Sequence, residues 1–200
     1  PLATALAAGN RVMIKMPETT PRTNATLRQM LGEVFADDHV ALFGEEQEDP
    51  NAFTALPFNH IVFTGSPRVG SLVMEQAARN LTPVTLELGG KSPQLVFDDV
   101  PDIDRLAGII AGAITGNAGQ VCVAGSRLIV QRGIAQALIE RIGVRFAALR
   151  PGATWDNTAT LPPIISNAQA ARILDIVERA RDAGAEVRCG GGLFGGGPGG

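Results

Sequence analysis

Cysteine is scarce in this chain. Only Cys122 and Cys189 occur among 200 residues. Two thiols cannot make a disulfide framework, so the fold must rest on its core, and the usage fits a reducing compartment, expected to be the cytoplasm. Tyrosine is absent, tryptophan occurs once, and aromatics amount to 4%, yet a hydrophobic share of 45% allows a substantial core. Positive charge is not in excess: 17 Lys and Arg against 20 Asp and Glu give a net charge of −3. No basic footprint therefore points to nucleic acid. No apolar run approaches the ~20 residues that cross a bilayer. Pro1-Leu2-Ala3-Thr4 lacks an initiator methionine and the charged-then-apolar layout of a signal peptide. His39 and His60 lack any motif partner and are expected in a loop and at a strand start, so no metal site is expected.

Glycine is plentiful but uneven: residues 190–200 hold eight of the 24 and are expected to form a flexible tail, with Cys189 incidental beside it. Upstream, short apolar runs alternate with helical spacing, which predicts an α/β architecture. Strands are expected at Arg11–Lys15, Val40–Phe43, His60–Thr64, Val84–Leu88, Gln94–Phe97 and Arg127–Val130. Helical spacing links Leu27, Met30, Leu31, Val34 and Phe35, then Val69, Leu72, Val73 and Ala77, then Ile103, Leu106, Ala107, Ile110 and Ile114. Further helices are expected near 134–148 and from a Ser166/Gln169 capping box to about Ala183, with Gly184 as the stop. Glu45-Glu46-Gln47-Glu48-Asp49 reads as a solvated acidic loop. Gly89-Gly90 is the best hinge.

Two short segments carry chemistry. Cys122 lies in Gly116-Asn117-Ala118-Gly119-Gln120-Val121-Cys122-Val123-Ala124-Gly125, ahead of the strand at Arg127. A lone cysteine is ordinarily a small buried hydrophobe. Small neighbours, however, leave a sulfur open to substrate and its amide free to donate. Asn117 is read as a turn-stabilising residue. Glu87 lies in Leu86-Glu87-Leu88-Gly89-Gly90-Lys91-Ser92-Pro93, a strand end beside a glycine turn, where a carboxylate can act as a general base. Lys91 is expected to neutralise a carboxylate structurally. A third segment, Phe63-Thr64-Gly65-Ser66-Pro67-Arg68-Val69-Gly70, marks a strand-to-helix transition with Ser66 as cap and Pro67 at the first position. Such a helix start favours a pyrophosphate, although an ordinary capped helix looks the same and the usual G-x-G-x-x-G is absent. Lys15-Met16-Pro17-Glu18 closes the first strand, where open α/β sheets bind ligands; outside such a context it would be a solvated charge pair.

The Leu86–Pro93 and Gly119–Ala124 segments resemble the glutamate and cysteine motifs of the NAD(P)-dependent aldehyde dehydrogenase superfamily. The likeness runs to about position 188, and Asn80–Thr85 is similar to the branch holding coniferyl-aldehyde and fatty-aldehyde dehydrogenases. The resemblance implies parts of two doubly wound domains: a Rossmann-like cofactor domain over 1–88 and a thiol catalytic domain over 89–189, followed by the tail. It implies Cys122 as nucleophile, Glu87 as base, and cofactor contacts at Lys15, Glu18, Thr64, Gly65, Ser66, Gly70 and Leu88. Glu18 would repel a 2′-phosphate, favouring NAD over NADP. The family often has threonine where Pro67 stands, and more commonly Gly-Pro where Pro162-Pro163 stands.

Family members are normally more than twice this length, so an internal portion of a homodimeric or homotetrameric enzyme acting on a small aldehyde is implied. The second oxyanion donor, an asparagine in a Pro-Trp-Asn segment, is not among these residues, whose tryptophan is in Thr154-Trp155-Asp156. Losing one such donor typically costs about 10²–10³ in rate. The portion is therefore expected to be inactive alone, with Ile103, Leu106 and Ile110 lacking full partners. Two rivals remain: a CoA-acylating semialdehyde dehydrogenase, against which Glu87 argues, and a non-catalytic NAD-binding module.

Overall fold

Three parallel strand pairs frame the structure, a computed structural model that describes residues 1–44 and 50–194. The acidic run at 45–49 and the tail beyond 194 lie outside the described residues. The chain divides into two compact units, Pro1–Leu88 and Gly89–Gly200.

In the first unit, α1 (Leu2–Ala7) precedes β1 (Val12–Lys15), α2 (Pro21–Gly32), β2 (Val40–Phe43), α3 (Pro50–Thr54), β3 (Ile61–Gly65), α4 (Pro67–Ala78) and β4 (Val84–Leu88). β1 pairs with β2 from Val12↔Val40 to Lys15↔Phe43, and β3 with β4 from Ile61↔Val84 to Gly65↔Leu88. Ile61, Val73 and Ala77 are buried together, with Phe58, Phe63, Val69 and Val84 packed around them, so α4 covers one face of the β3–β4 pair. α2 stops at Gly32, short of its expected apolar stripe, and Val34 is left exposed. His39 sits in a turn, edge-on to Phe35. His60 precedes β3 and meets Thr85 Oγ1 at 2.9 Å.

The second unit holds β5 (Pro93–Val96), α5 (Ile103–Thr115), β6 (Arg127–Val130), α6 (Arg132–Ala147) and α7 (Asn167–Asp182). β5 and β6 are parallel, Leu95 opposite Ile129. Their inner face, with Val96 and Val130, packs against α5 and α6 around Ala107, Ile110, Leu138 and Ile142. This corrects the expectation for α5: Ile110 is buried, and Ile103 and Leu106 pack on the same cluster, because α6 supplies their partners. Leu95 of β5, Ile109 of α5 and Ile129 of β6, on the faces turned away from this cluster, are exposed. Ser166 Oγ caps α7 by accepting Gln169 N–H at 3.2 Å, and Gly184 follows the helix at φ +90°. No helix among the described residues is long and apolar enough to cross a membrane.

Leu138 is 0% exposed at the centre of this cluster. Leu138→Ala should remove its packing and leave a cavity, lowering stability by about 2–5 kcal/mol. The urea midpoint of the variant beside the parent checks this; an unchanged midpoint would show that the cluster is not a cooperative core.

Candidate functional site

The β3–β4 register sets Thr64 opposite Glu87 and Gly65 opposite Leu88, so four of the expected site residues end neighbouring strands side by side. Alternation along a strand sends successive side chains to opposite faces. Ile61, Phe63 and Val84 therefore turn into the cluster under α4, while Thr64 and Glu87 share the exposed face. Ser66 is extended (φ −79°, ψ 150°) and its Oγ accepts Val69 N–H at 3.3 Å. Pro67 takes the first helical position, where a missing N–H costs nothing.

The two glycines of this segment are held by packing. A Cβ on Gly70 would lie 3.0 Å from Leu88 Cδ2, so the glycine lets α4 lie close against β4. A Cβ on Gly65 would lie 2.5 Å from Phe63 Cζ. The ring of Phe63 fills the space that a side chain at 65 would need, a packing role that residue type and spacing do not show.

At the end of β1, Lys15 Nζ donates to Glu18 Oε1. That bond, reinforced by one to the Glu18 backbone, holds the carboxyl below its ordinary range. A depressed carboxylate contributes its pairing above the ordinary range and loses it as pH falls through the lowered value. The turn carrying Glu18 has an anchor that sequence reasoning missed. Asn24, 1% exposed in α2, donates from Nδ2 to Pro17 O at 2.7 Å, and its Oδ1 accepts Thr20 Oγ1–H at 3.1 Å. The available signal was a polar residue at i, i+3, i+7 spacing with Leu27 and Leu31.

The thiol loop belongs to the second unit. After α5 the chain makes a short 3₁₀ turn at Gly116–Gly119, in which Asn117, Ala118 and Gly119 have φ of 49°, 53° and 76°. Left-handed backbone costs about 1–2 kcal/mol for a residue such as Ala118 and is better tolerated by asparagine, so Ala118 must be held by its surroundings. Asn117 Nδ2 donates to Gln120 O at 3.3 Å, which fits its expected role in a turn. The far end of the loop is tied to both neighbouring elements: Gly125 N–H donates to Ala113 O at 3.0 Å and Gln94 Nε2 to Gly125 O at 2.9 Å.

Between these ties Cys122 is an exposed free thiol. Its N–H has no acceptor among the described residues, and a Cβ on Gly90 would lie 3.2 Å from its carbonyl oxygen. Gly90, expected only as a hinge, thus also makes room for the thiol loop. Among the described residues Lys91 forms no ion pair, and its carbonyl accepts Arg127 Nε–H at 2.8 Å. Cys189 is also exposed.

The parallel β3 and β4 with the serine-capped α4 in the first unit, and the exposed Cys122 with its unclaimed amide in the second, belong to an α/β protein. The model of the aldehyde dehydrogenase family matches residues 1–199, and the chain belongs to that family. It is 43% identical over 187 residues to a probable coniferyl aldehyde dehydrogenase of Pseudomonas aeruginosa, covering 94% of this chain and 39% of the relative. It is 37% identical over 199 residues to a betaine aldehyde dehydrogenase of Brucella ovis, covering 96% and 39%. Among solved structures, HpcC from Thermus thermophilus superposes with a TM-score of 0.90 at 33% identity, over 95% of this chain and 37% of the other. A betaine aldehyde dehydrogenase from Staphylococcus aureus in complex with NAD+ gives 0.88 at 29% identity, over 95% and 38%. The chain thus spans about two fifths of the length of these relatives.

Proposed function

We propose that the protein carrying this chain oxidises an aldehyde to a carboxylic acid with NAD, Cys122 serving as nucleophile and Glu87 as base. Beside the family membership, the observation that carries this reading is the Cys122 loop: an exposed sulfur whose own N–H has no acceptor among the described residues. The thiolate adds to the carbonyl carbon, and the Cys122 N–H donates to the oxygen as it gains charge. When bound, NAD supplies the hydride acceptor that turns the thiohemiacetal into a thioester. Glu87 then takes a proton from water, the water oxygen bonds to the thioester carbon, and the C–S bond breaks to release the acid and restore the thiol.

The residues of the first unit fit the cofactor. The N-terminus of α4 provides a positive dipole end for a pyrophosphate, with Thr64, Gly65, Ser66, Gly70 and Leu88 around it. Lys15 and Glu18 at the end of β1 offer a cation and a carboxylate to ribose hydroxyls. In this reading residues 1–88 are part of an NAD-binding domain and 89–189 part of a catalytic domain, in a cytoplasmic homodimer or homotetramer.

NADH formation with aromatic and short-chain aldehydes, measured beside NAD binding, tests the proposal. Binding without turnover would leave only a nucleotide-binding protein, and CoA-dependent turnover would mark an acylating enzyme. Glu18 should set the preference for NAD, since its carboxylate repels a 2′-phosphate. Glu18→Gln is expected to narrow the ratio of kcat/KM for NAD over NADP several-fold. A parent protein that prefers NADP would overturn that assignment.

A further inference from the structure

Gln120 is half-buried and uses both polar atoms of its carboxamide. Nε2 donates to Asn117 O at 3.1 Å and to Pro163 O at 3.2 Å, while Oε1 accepts Ile165 N–H at 2.9 Å. One side chain therefore joins the left-handed turn before the thiol to the segment that leads into the Ser166 cap of α7. That segment is the Pro162-Pro163-Ile164-Ile165 stretch. The downstream end of the thiol loop is tied separately, through Gly125 to α5 and β5. Cys122 thus lies on a short span fastened at both ends, and the upstream fastening is Gln120.

We infer that Gln120 is a positioning residue for Cys122: it holds the left-handed turn at Asn117–Gly119 against the Pro163–Ile165 segment and so fixes where the nucleophile's sulfur and amide stand. The inference rests on the reading of Cys122 as the nucleophile. The chemistry demands an amide. A carboxylate of the same shape keeps an acceptor for Ile165 N–H but sets oxygen against the carbonyls of Asn117 and Pro163, and a thioether of similar length makes none of these bonds.

The test uses the complete protein with Gln120→Met and Gln120→Glu. Amide hydrogen exchange should quicken together in peptides spanning 116–126 and 162–167, more in Gln120→Met, while α5 and α6 keep the protection of the parent. The Kd for NAD should not change. The NADH burst that reports acylation should slow by on the order of tenfold to a hundredfold, the scale of a small misplacement of a reacting group. A role confined to the fold would instead deprotect α5 and α6 and lower the midpoint of unfolding with no burst defect. Unchanged exchange in the two peptides overturns the inference. So does quickened exchange with an undiminished burst, or failure of both variants to fold, which would make Gln120 a residue of the core. If the parent protein oxidises no aldehyde, the proposed function fails and the exchange data alone decide whether Gln120 holds the loop.

Discussion

Cys122→Ala is expected to abolish aldehyde-dependent NADH formation in the complete protein and to leave NAD binding unchanged. Removing a covalent nucleophile costs about 10⁶-fold where the other groups remain in place. The substitution touches little else. Cys122 is exposed, so no core cavity is made, and the left-handed turn before it is held by Asn117 and Gln120. Alanine keeps the backbone N–H, so any oxyanion donor at this position survives and the loss reports on sulfur alone. Substantial aldehyde-dependent NADH from the purified variant, with its sequence confirmed, would remove Cys122 from the mechanism.

Glu87→Gln should act later in the cycle. An amide preserves the shape of the side chain but cannot take a proton from water, so hydrolysis of the thioester should fall by about 10²–10⁴-fold while hydride transfer is less affected. The expected signature is a burst of NADH followed by slow turnover, with acylated Cys122 accumulating on quenching and seen by mass spectrometry. Folding should be undisturbed, because Glu87 lies on the exposed face of β4 and makes no ion pair among the described residues. Full steady-state turnover without acyl-enzyme would sink the assignment.

The elements that could be read in advance were those whose pattern is local. Val84–Leu88 and Arg127–Val130 are the observed β4 and β6, because alternation and β-branched residues leave few other readings. Boundaries were less legible. β5 stops at Val96, where Gln131 N–H takes the Val96 carbonyl and Gln131 Oε1 accepts Asp98 N–H, and Phe97 is left exposed. The short helices α1 and α3 left no periodic trace, and α1 has no buried residue. At the site, the motif residues announced themselves by type and spacing. Asn24, Gly90 and Gln120 did not, because their parts are defined by Pro17, the Cys122 carbonyl and Pro163, contacts that chain order does not show.

The pairing of Thr64 with Glu87 also restricts how relatives of this chain can drift in length. In a parallel pair, sliding β4 by one residue against β3 would turn Glu87 toward the helix-covered face and bring Leu86 and Leu88 out to the open one. The stretch between the two strands therefore behaves like a ruler. Substitutions can accumulate along it, but an insertion or deletion survives only where it is absorbed before β4 begins. Leu81 is 89% exposed in the turn that precedes β4, so length differences among homologues should gather there and not within Val84–Leu88.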